Sequence, residues 1–410
     1  MKRILMLNTL PLVNFEDDSE ENKTAGNQTL YNTLKGYSEQ GFHVTMLTFA
    51  DIPKRSSPFP NIEIRRSRYF PLFNLLNRLK IVSDHEETGR IGSSFYARTW
   101  NLLAYREGLH LSKQLKPDLL YGYEIYSTRP AKRIADELKL PCATRFQGTE
   151  LGLLLNDPEF EEANDYIEGT AVNADLIIMA NDGTDGDQVL ERLGMEPEKI
   201  RFWPNGLHDK EKYLDYEKDD RYREKMDLPE DALIICTANR FVDWKRLDRV
   251  IKMMKHLIDV KPRVHLIAIG DGPEKQRLTE LIKSLNLENI QFPGVMEHEE
   301  TIYHIANADL YITLNESGNL GNSILEALSL GTVVCTLKND SVNKVLKDGF
   351  NAMLFKEMDE KMIADGLAEL LGNKEQMKML EENGRQYAKE KLRSWPERMN
   401  LEIEEIKKLL

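Results

Sequence analysis

Two cations in the second half of the chain have the types and spacing of a diphosphate-binding site. Arg240 follows an apolar run, and Lys245 comes five residues later, where a helical pattern opens. Paired cations at a strand–helix turn can neutralise the charge that builds on a departing phosphate. The same pair is also compatible with two surface cations at an ordinary turn, so a second element is needed to decide.

A glycine- and asparagine-rich loop supplies that second element. It lies between an apolar run that ends at Leu314 and a helical pattern at 323–330. Its residues would present backbone N–H groups at a helix N-terminus, where anions are favoured. The loop residues are Gly318, Asn319, Leu320, Gly321 and Asn322. Glu326, one turn further on, is either a solvated helix residue or, among apolar neighbours, a buried carboxylate placed to bind ribose hydroxyls.

The sequence lacks the motifs of two common nucleotide-binding classes. No glycine follows the first apolar run until Gly26, so the dinucleotide fingerprint is missing there. The turn at 270–273, Gly-Asp-Gly-Pro, is not that fingerprint either, and no Walker A sequence is present. These observations speak against a nicotinamide dehydrogenase and a P-loop enzyme.

Composition limits the class of protein. The chain has 410 residues, and 55 Lys and Arg against 68 Asp and Glu leave a net charge of −13. That charge excludes attraction of the whole molecule to nucleic acid or an anionic membrane, although not a local basic patch. With no apolar run of about 18 residues and no signal-peptide pattern, we expect a soluble cytosolic protein. Cys142, Cys236 and Cys335 are expected to be buried free thiols.

The alternation of apolar runs with helical patterns predicts the elements that position these residues. Many runs are rich in Val, Ile and Leu without strict alternation, which is typical of parallel strands covered by helices. The alternation restarts after a turn at 204–206, and the stretch at 209–227 is interpreted as a linker with a short helix. A helix is predicted at 341–347. We therefore expect two doubly wound α/β domains, with ligands at the carboxyl ends of their strands.

A basic and aromatic stretch at 65–80 departs from the acidic average. It contains Arg65, Arg66 and Arg68, followed by aromatic and apolar residues and then Arg78 and Lys80. One interpretation is a solvated strand end followed by a helix that packs on the core. The other is a patch for an anionic lipid surface or a lipid-linked acceptor.

The ordered set of motifs resembles the retaining nucleotide-sugar glycosyltransferases of the GT-B fold, glycosyltransferase family 4 (glycosyl transferases group 1). The set comprises the turn at 204–206, Arg240 with Lys245, the turn at 270–273, and the glycine-rich loop with Glu326. Each motif is weak alone, but their order and spacing are specific, and the resemblance covers essentially the whole chain.

The resemblance implies two Rossmann-like domains that face a cleft. Residues 1–205, with a final helix at 395–410 packed back on them, would bind the acceptor, and residues 206–394 would bind the nucleotide sugar. Arg240 and Lys245 would act on the donor diphosphate, Glu326 would hold the ribose, and the loop at 318–322 would contact the donor sugar and phosphate. The base would lie near Gly294 and Val295.

The implied reaction moves a hexose-type sugar, with retention of its anomeric configuration, from a nucleoside diphosphate to an acceptor. The acceptor would be a growing glycan, a lipid-linked sugar or a small molecule, and no metal or other cofactor would be needed. No nucleic acid partner is expected. Two alternatives stay open: another GT-B activity, such as a hydrolase or epimerase, and a non-catalytic nucleotide-sugar binder.

Two positions depart from the family pattern. The first of two family glutamates would fall at Gly318, so either Glu316 takes its role through a longer loop or backbone groups replace it. The acceptor-domain histidine is replaced by Gln147, which can form hydrogen bonds but cannot act as an acid or base. The acceptor-site candidates are Gly26, Glu124, Gln147 and Thr149.

Overall fold

The computed structural model describes residues 2–8, 28–52, 54–78 and 94–410. The chain divides into two units, one formed by Met1–Asn205 with Trp395–Leu410 and the other by Gly206–Ser394. Each unit is built on one sheet of mainly parallel strands with helices between them in sequence.

The first unit contains a sheet of order β3-β4-β2-β1-β5-β6-β7-β8. Its strands are β1 Arg3–Asn8, β2 His43–Thr48, β3 Arg55–Ser56, β4 Ile62–Arg66, β5 Leu119–Tyr123, β6 Cys142–Phe146, β7 Leu176–Ala180 and β8 Ile200–Trp203. Its helices include α1 Gln28–Glu39, α2 Phe70–Arg78, α3 Ser94–Leu115, α4 Ile125–Leu138, α5 Asn164–Thr170 and α6 Gly186–Arg192. Every residue of β5, β6 and β7 is buried, as expected for strands covered on both faces.

The second unit contains a sheet of order β11-β10-β9-β12-β13-β14, whose paired strands are all parallel. Its strands are β9 Leu233–Ala238, β10 Val264–Ile269, β11 Ile290–Gly294, β12 Leu310–Thr313, β13 Val333–Leu337 and β14 Met353–Phe355. Its helices are α7 Lys210–Leu214, α8 Tyr222–Lys225, α9 Leu247–Val260, α10 Lys275–Ser284, α11 His298–Asn307, α12 Asn322–Leu330, α13 Glu360–Gly372 and α14 Lys374–Lys391.

Two local predictions were wrong, and one edge strand departs from the parallel pattern. The stretch at 209–227 is not a linker, because α7 and α8 place Tyr213 and Tyr222 in the core of the second unit. The sheet of the first unit is not wholly parallel, since the short edge strand β3 pairs antiparallel with β4. In place of a helix at 341–347 there is one 3₁₀ turn, Val342–Lys344. There Asn351 accepts from the Lys347 amide at 2.6 Å and donates to the Val345 carbonyl at 3.2 Å, so a side chain takes the bonds a helix would use.

The last helix, α15 Trp395–Leu409, belongs to the first unit and carries a buried ion network. Arg145 of β6 donates to Glu402 of α15 at 2.9 Å, and Arg398 donates to it at 3.3 Å. The hydroxyls of Tyr121 and Tyr37 donate to the same carboxylate at 2.7 and 3.1 Å. Burial would raise the pKa of Glu402, but the two guanidinium groups and the hydroxyls hold it below its usual value.

The helix α2 supports one of the two interpretations of the stretch at 65–80. Phe73 is buried, and its ring lies 5.3 Å from the ring of Phe49. The helix therefore packs on the core through this side chain, while Leu72 and Leu75 stay exposed.

The three cysteines are free and buried, as predicted, and burial raises the pKa of each thiol. Among the described residues, no helix has both the length and the apolar character to cross a membrane.

Candidate active site

Three loops pack together at the carboxyl ends of β9, β10 and β12 in the second unit. Gly270, which follows β10 at φ 135°, approaches the loop after β9 so closely that a Cβ there would lie 1.9 Å from the Asn239 carbonyl oxygen. The loop after β12 joins them, because the Glu316 amide donates to the Trp244 carbonyl at 3.0 Å. The carboxyl edge of this sheet is where α/β domains bind ligands.

The loop after β9 carries both predicted phosphate-binding cations. Arg240 is exposed two residues after the end of β9. Lys245 ends the 3₁₀ turn Asp243–Lys245, and its ammonium nitrogen lies 4.0 Å from the centroid of the half-exposed Trp244 ring. This cation–π contact gives the flexible lysine a defined position at the edge of the sheet.

The loop after β12 is held by its own asparagines. The Asn319 side chain accepts from the Asn315 amide and donates to the Asn315 carbonyl, both at 3.1 Å. Asn319 and Leu320 are buried, so their side chains face the protein. The loop is therefore a rigid element that leads directly into the next helix.

The helix α12 begins directly after this loop. Gly321 is the residue before its first turn and provides no side chain to cap the helix. The first amides of an α-helix have no carbonyl partner within the helix, and the helix dipole favours a negative charge beside them. An anion site at the end of the loop stays a prediction, and the helix that it requires begins where the sequence places it.

Glu326 is buried, in agreement with the second of the two alternatives for this residue. Its partner was not predicted from the sequence. His298, at the start of α11, contacts the Glu326 carboxylate with its Nε2 at 2.9 Å. The His298 ring also lies 5.5 Å from the ring of His208 and 6.5 Å from that of Tyr213. The signal that could have found it is its position three residues after Val295, one of the predicted base-binding residues.

The pKa of His298 reports on this pair. Burial disfavours the charged imidazolium, but the hydrogen bond and the charge of Glu326 outweigh it and raise the pKa above 6.5.

Replacing Glu326 by Gln removes the charge and leaves the burial, so the pKa of His298 is expected to fall below 6.5. An NMR titration of the imidazole protons measures this. The control is Glu300→Gln, a change at an exposed residue of the same helix, which should leave the pKa of His298 unchanged.

Glu316 lies on the loop after β12 but is held by neighbouring arginines. Arg246 donates to its carboxylate at 2.7 Å and Arg249 at 2.6 Å. Arg249 also donates to the Leu314 carbonyl at 3.2 Å, so the two arginines tie the loop to the start of α9. These contacts give Glu316 a structural role in this conformation.

The predicted base-binding residues lie at the end of β11. Gly294, at φ 98°, accepts a hydrogen bond from the Gly270 amide at 2.8 Å, which connects it to the loop after β10. Val295 is 78% exposed, so its side chain is accessible to a ligand.

The first unit has its own cluster of polar residues at the carboxyl ends of β5, β6 and β7. The Gln147 amide donates to the Glu124 carboxylate at 2.9 Å, and the Gln147 side chain donates to the Tyr123 hydroxyl at 2.8 Å. The Thr149 amide donates to the Thr184 hydroxyl at 3.1 Å. The buried Gln147 Oε1 has no hydrogen-bond partner in the described part of the chain. Three of the four predicted acceptor residues are therefore close together, and Gly26 lies outside the described residues.

Glu124 combines a strained backbone with a perturbed carboxyl group. Its φ of 70° and ψ of 160° are rare for a residue with a side chain, and such strain concentrates at functional sites. The residue keeps some accessible surface, but protein atoms surround its carboxyl group. This burial raises the pKa of Glu124 to about 8, against the opposing effects of the Gln147 amide and Arg145.

This pKa predicts how stability depends on pH. Between the ordinary glutamate pKa and about 8, the folded first unit binds a proton at Glu124 that the unfolded chain does not. Stability should therefore fall as pH rises through that window. Glu124→Gln should flatten this part of the profile in urea unfolding at pH 5 and pH 8.5, and the exposed Glu150→Gln should not. Identical profiles for wild type and Glu124→Gln would contradict the assignment.

In the described ranges, no three His, Cys, Asp or Glu side chains are grouped so that they could hold a metal ion.

Comparison with known proteins identifies part of the chain. Residues 218–387 match the family model described as glycosyl transferases group 1. The matched segment lies within the domain formed by the second unit. The matched segment holds Arg240, Lys245, His298 and Glu326, so this domain carries the whole predicted donor site.

The chain is similar in sequence to two curated proteins. The chain is 26% identical over 228 residues to the glycosyltransferase MJ1069 of Methanocaldococcus jannaschii, which covers 55% of this chain and 54% of that protein. It is 23% identical over 273 residues to the N-acetyl-alpha-D-glucosaminyl L-malate synthase of Bacillus anthracis, covering 64% and 67%. The match to the first of these relatives thus spans about half of its length.

Solved structures share the fold over the whole chain. The Anabaena protein Alr3699/HepE, in complex with UDP and glucose, superposes with a TM-score of 0.69 at 17% identity and covers 100% of both chains. WaaG, a glycosyltransferase involved in lipopolysaccharide biosynthesis, has a TM-score of 0.67 at 16% identity and covers 97% and 99%. The predicted fold class is thereby confirmed: the chain has the α/β GT-B fold with two Rossmann-like domains.

Proposed function

We propose that this protein is a retaining, metal-independent glycosyltransferase that moves a sugar from a nucleoside diphosphate to a hydroxyl-bearing acceptor. The observation that carries the proposal is the pair formed by the buried Glu326 of α12 and the partly buried His298. It lies at the carboxyl end of the sheet that also bears Arg240 and Lys245. A buried carboxylate, an anion-binding helix end and two cations are together the groups that a nucleoside diphosphate requires.

Each group has a role in donor binding. Arg240 and Lys245 bind the diphosphate and stabilise the negative charge that grows on it as the bond to the sugar breaks. The backbone amides at the start of α12 bind phosphate and donor-sugar oxygens. Glu326 accepts hydrogen bonds from the ribose, and His298 fixes the orientation of its carboxylate. The base contacts the loop at 294–297.

The same groups account for the proposed metal independence. The two cations and the helix end provide the positive charge that Mg²⁺ supplies in many phosphoryl and glycosyl transfers. Retention follows if the acceptor attacks the face from which the diphosphate departs, because the new bond then forms on the side of the sugar where the old one breaks. The departing phosphate can accept the acceptor's proton. This route needs no basic side chain and is compatible with Gln147 in place of histidine.

The first unit is proposed to bind the acceptor through the cluster of Glu124, Gln147 and Thr149. The unsatisfied Gln147 Oε1 can accept a hydrogen bond from an acceptor hydroxyl. A glycan, a lipid-linked sugar and a small polyol all present such hydroxyls. The proposed location is the cytoplasm, with peripheral contact to the inner face of the membrane if the acceptor is a lipid.

The proposal is tested first by donor binding. A thermal-shift screen against UDP-, GDP-, ADP- and dTDP-sugars should identify one base, because a ligand at a hundredfold excess over Kd stabilises the protein by about 2.7 kcal/mol. UDP-glucose is the first candidate, since the Anabaena neighbour was solved with UDP and glucose. The stabilising donor is then incubated with a panel of sugar, lipid-linked and small-molecule acceptors.

The products distinguish the alternatives. A glycosylated acceptor with the donor's anomeric configuration supports the proposal. Free sugar as the sole product would indicate a hydrolase, an epimerised donor would indicate an epimerase, and binding without any product over the panel would indicate a non-catalytic binder. An inverted product would contradict retention, and a chelator that abolishes transfer would contradict metal independence.

A further inference from the structure

A basic pocket lies in the first unit, between the strand edge and helix α3. It has a volume of about 390 Å³. Residues from three separate parts of the chain line it, including the edge strand β3, the end of β4 and the last turns of α3. Its basic residues are Lys54, Arg55, Arg65, Arg66, Arg68 and His110.

The local charge of the pocket is opposite in sign to the net charge of the protein. Five Lys and Arg side chains line it, and the carboxylates near them are Glu107 in its wall, Glu63 and Asp51. Without the histidine, this leaves a local charge of +2 in a chain whose net charge is −13. Keeping so many cations together costs free energy through their mutual repulsion, which an anionic ligand would relieve.

The carboxylate in the pocket wall is already satisfied by protein groups. Glu107 is buried, accepts from the Ser67 hydroxyl, and accepts with both oxygens from the Arg68 amide at 3.1 Å. These bonds orient Glu107 towards the start of α2 and fix the backbone that carries Arg68.

The arginines are held in place but retain donors for a ligand. Arg65 is bound to Glu63 at 2.7 Å, and its buried Nε has no hydrogen-bond partner within the described residues. The guanidinium carbons of Arg66 and Arg68 lie 4.8 and 5.0 Å from the ring centroids of Phe70 and Tyr69. Arg68 is exposed, so its guanidinium donors are accessible to an oxygen ligand in the pocket.

We propose that this pocket binds a phosphate group, carried as a phosphomonoester or diphosphate by a soluble molecule or by a lipid headgroup. Guanidinium groups match the oxygens of phosphate through paired hydrogen bonds, and a doubly charged phosphate balances the local charge of +2. The proposal goes beyond the transferase function, because the pocket binds its ligand whether or not a sugar is transferred.

The test is calorimetric titration of the full-length protein with inorganic pyrophosphate. Wild type is expected to bind at two sites, this pocket and the donor site. Arg65→Gln with Arg68→Gln should weaken the pocket's binding at least tenfold, while Lys245→Ala should affect only the other site. The matched control is Lys35→Gln with Lys139→Gln, which removes the same charge from the surface of the same unit. Arg68→Gln alone, an exposed change, keeps the test valid if the double variant unfolds.

A second arm identifies the source of the phosphate. Full-length protein is sedimented with phosphatidylcholine vesicles that contain or lack phosphatidic acid. If the Arg65/Arg68 variant loses binding only to the phosphatidic acid vesicles, the ligand is a lipid headgroup. If the variant loses binding only to pyrophosphate, the ligand is a soluble molecule. If the pocket variants match the control in both measurements, the proposal is overturned. A wild type with one pyrophosphate site that Lys245→Ala removes also overturns it, while leaving the transferase proposal intact.

Discussion

Lys245→Ala is expected to lower the turnover of sugar transfer about 100- to 1,000-fold, the loss seen when one preorganised charge-stabilising group is removed. Lys245 ends the turn after β9 with its ammonium group 4.0 Å from the Trp244 ring centroid, so the cation is positioned before a ligand binds. Its charge matters most when the diphosphate departs. The effect should therefore fall on kcat at saturating donor more than on the apparent KM.

The control for this experiment is Lys255→Ala on α9. Lys255 pairs with Asp259 on the helix surface at 2.7 Å, so removing it changes the net charge equally without touching the loop after β9. Lys245→Arg keeps the charge and should recover part of the activity. Full turnover in Lys245→Ala would disprove the assigned phosphate site.

Glu402→Ala is expected to destabilise the first unit by about 3–5 kcal/mol, the cost of leaving a buried charge without its partner. Arg145 and Arg398 are both 1% exposed at the side chain, and both donate to this one carboxylate. Removal of Glu402 also leaves the hydroxyls of Tyr37 and Tyr121 without their acceptor.

Tryptophan fluorescence in urea measures this change. Three of the four tryptophans, Trp100, Trp203 and Trp395, belong to the first unit, so the signal follows its unfolding. Glu404→Ala is the matched control, because Glu404 is exposed on the same helix and should change the stability by less than about 0.5 kcal/mol. A Glu402→Ala curve that overlies that control would show that the network contributes little.

The sequence alone was enough to predict the parallel α/β architecture and most of its helices. Strands buried on both faces need continuous apolar runs, and these are visible without any knowledge of pairing. The same local reasoning gave a buried Glu326 as one of two alternatives, because its neighbours Ile324, Leu325, Ala327 and Leu328 are apolar, and the structure decides for burial. The helix predicted at 341–347 does not form, because the side chain of Asn351 binds backbone groups that a helix would use.

Tertiary structure alone decided which residues meet. Glu326 finds His298, 28 positions away, and Arg145 finds Glu402, 257 positions away. The pocket joins Arg55 and His110 to the arginines at the end of β4 in the same way. Periodicity records which side of an element is buried, but the partner of a buried charge depends on how distant elements pack. The fold class and the candidate donor-site residues could therefore be inferred from the sequence, whereas the long-range ion pairs and the basic pocket could be identified only in the folded chain.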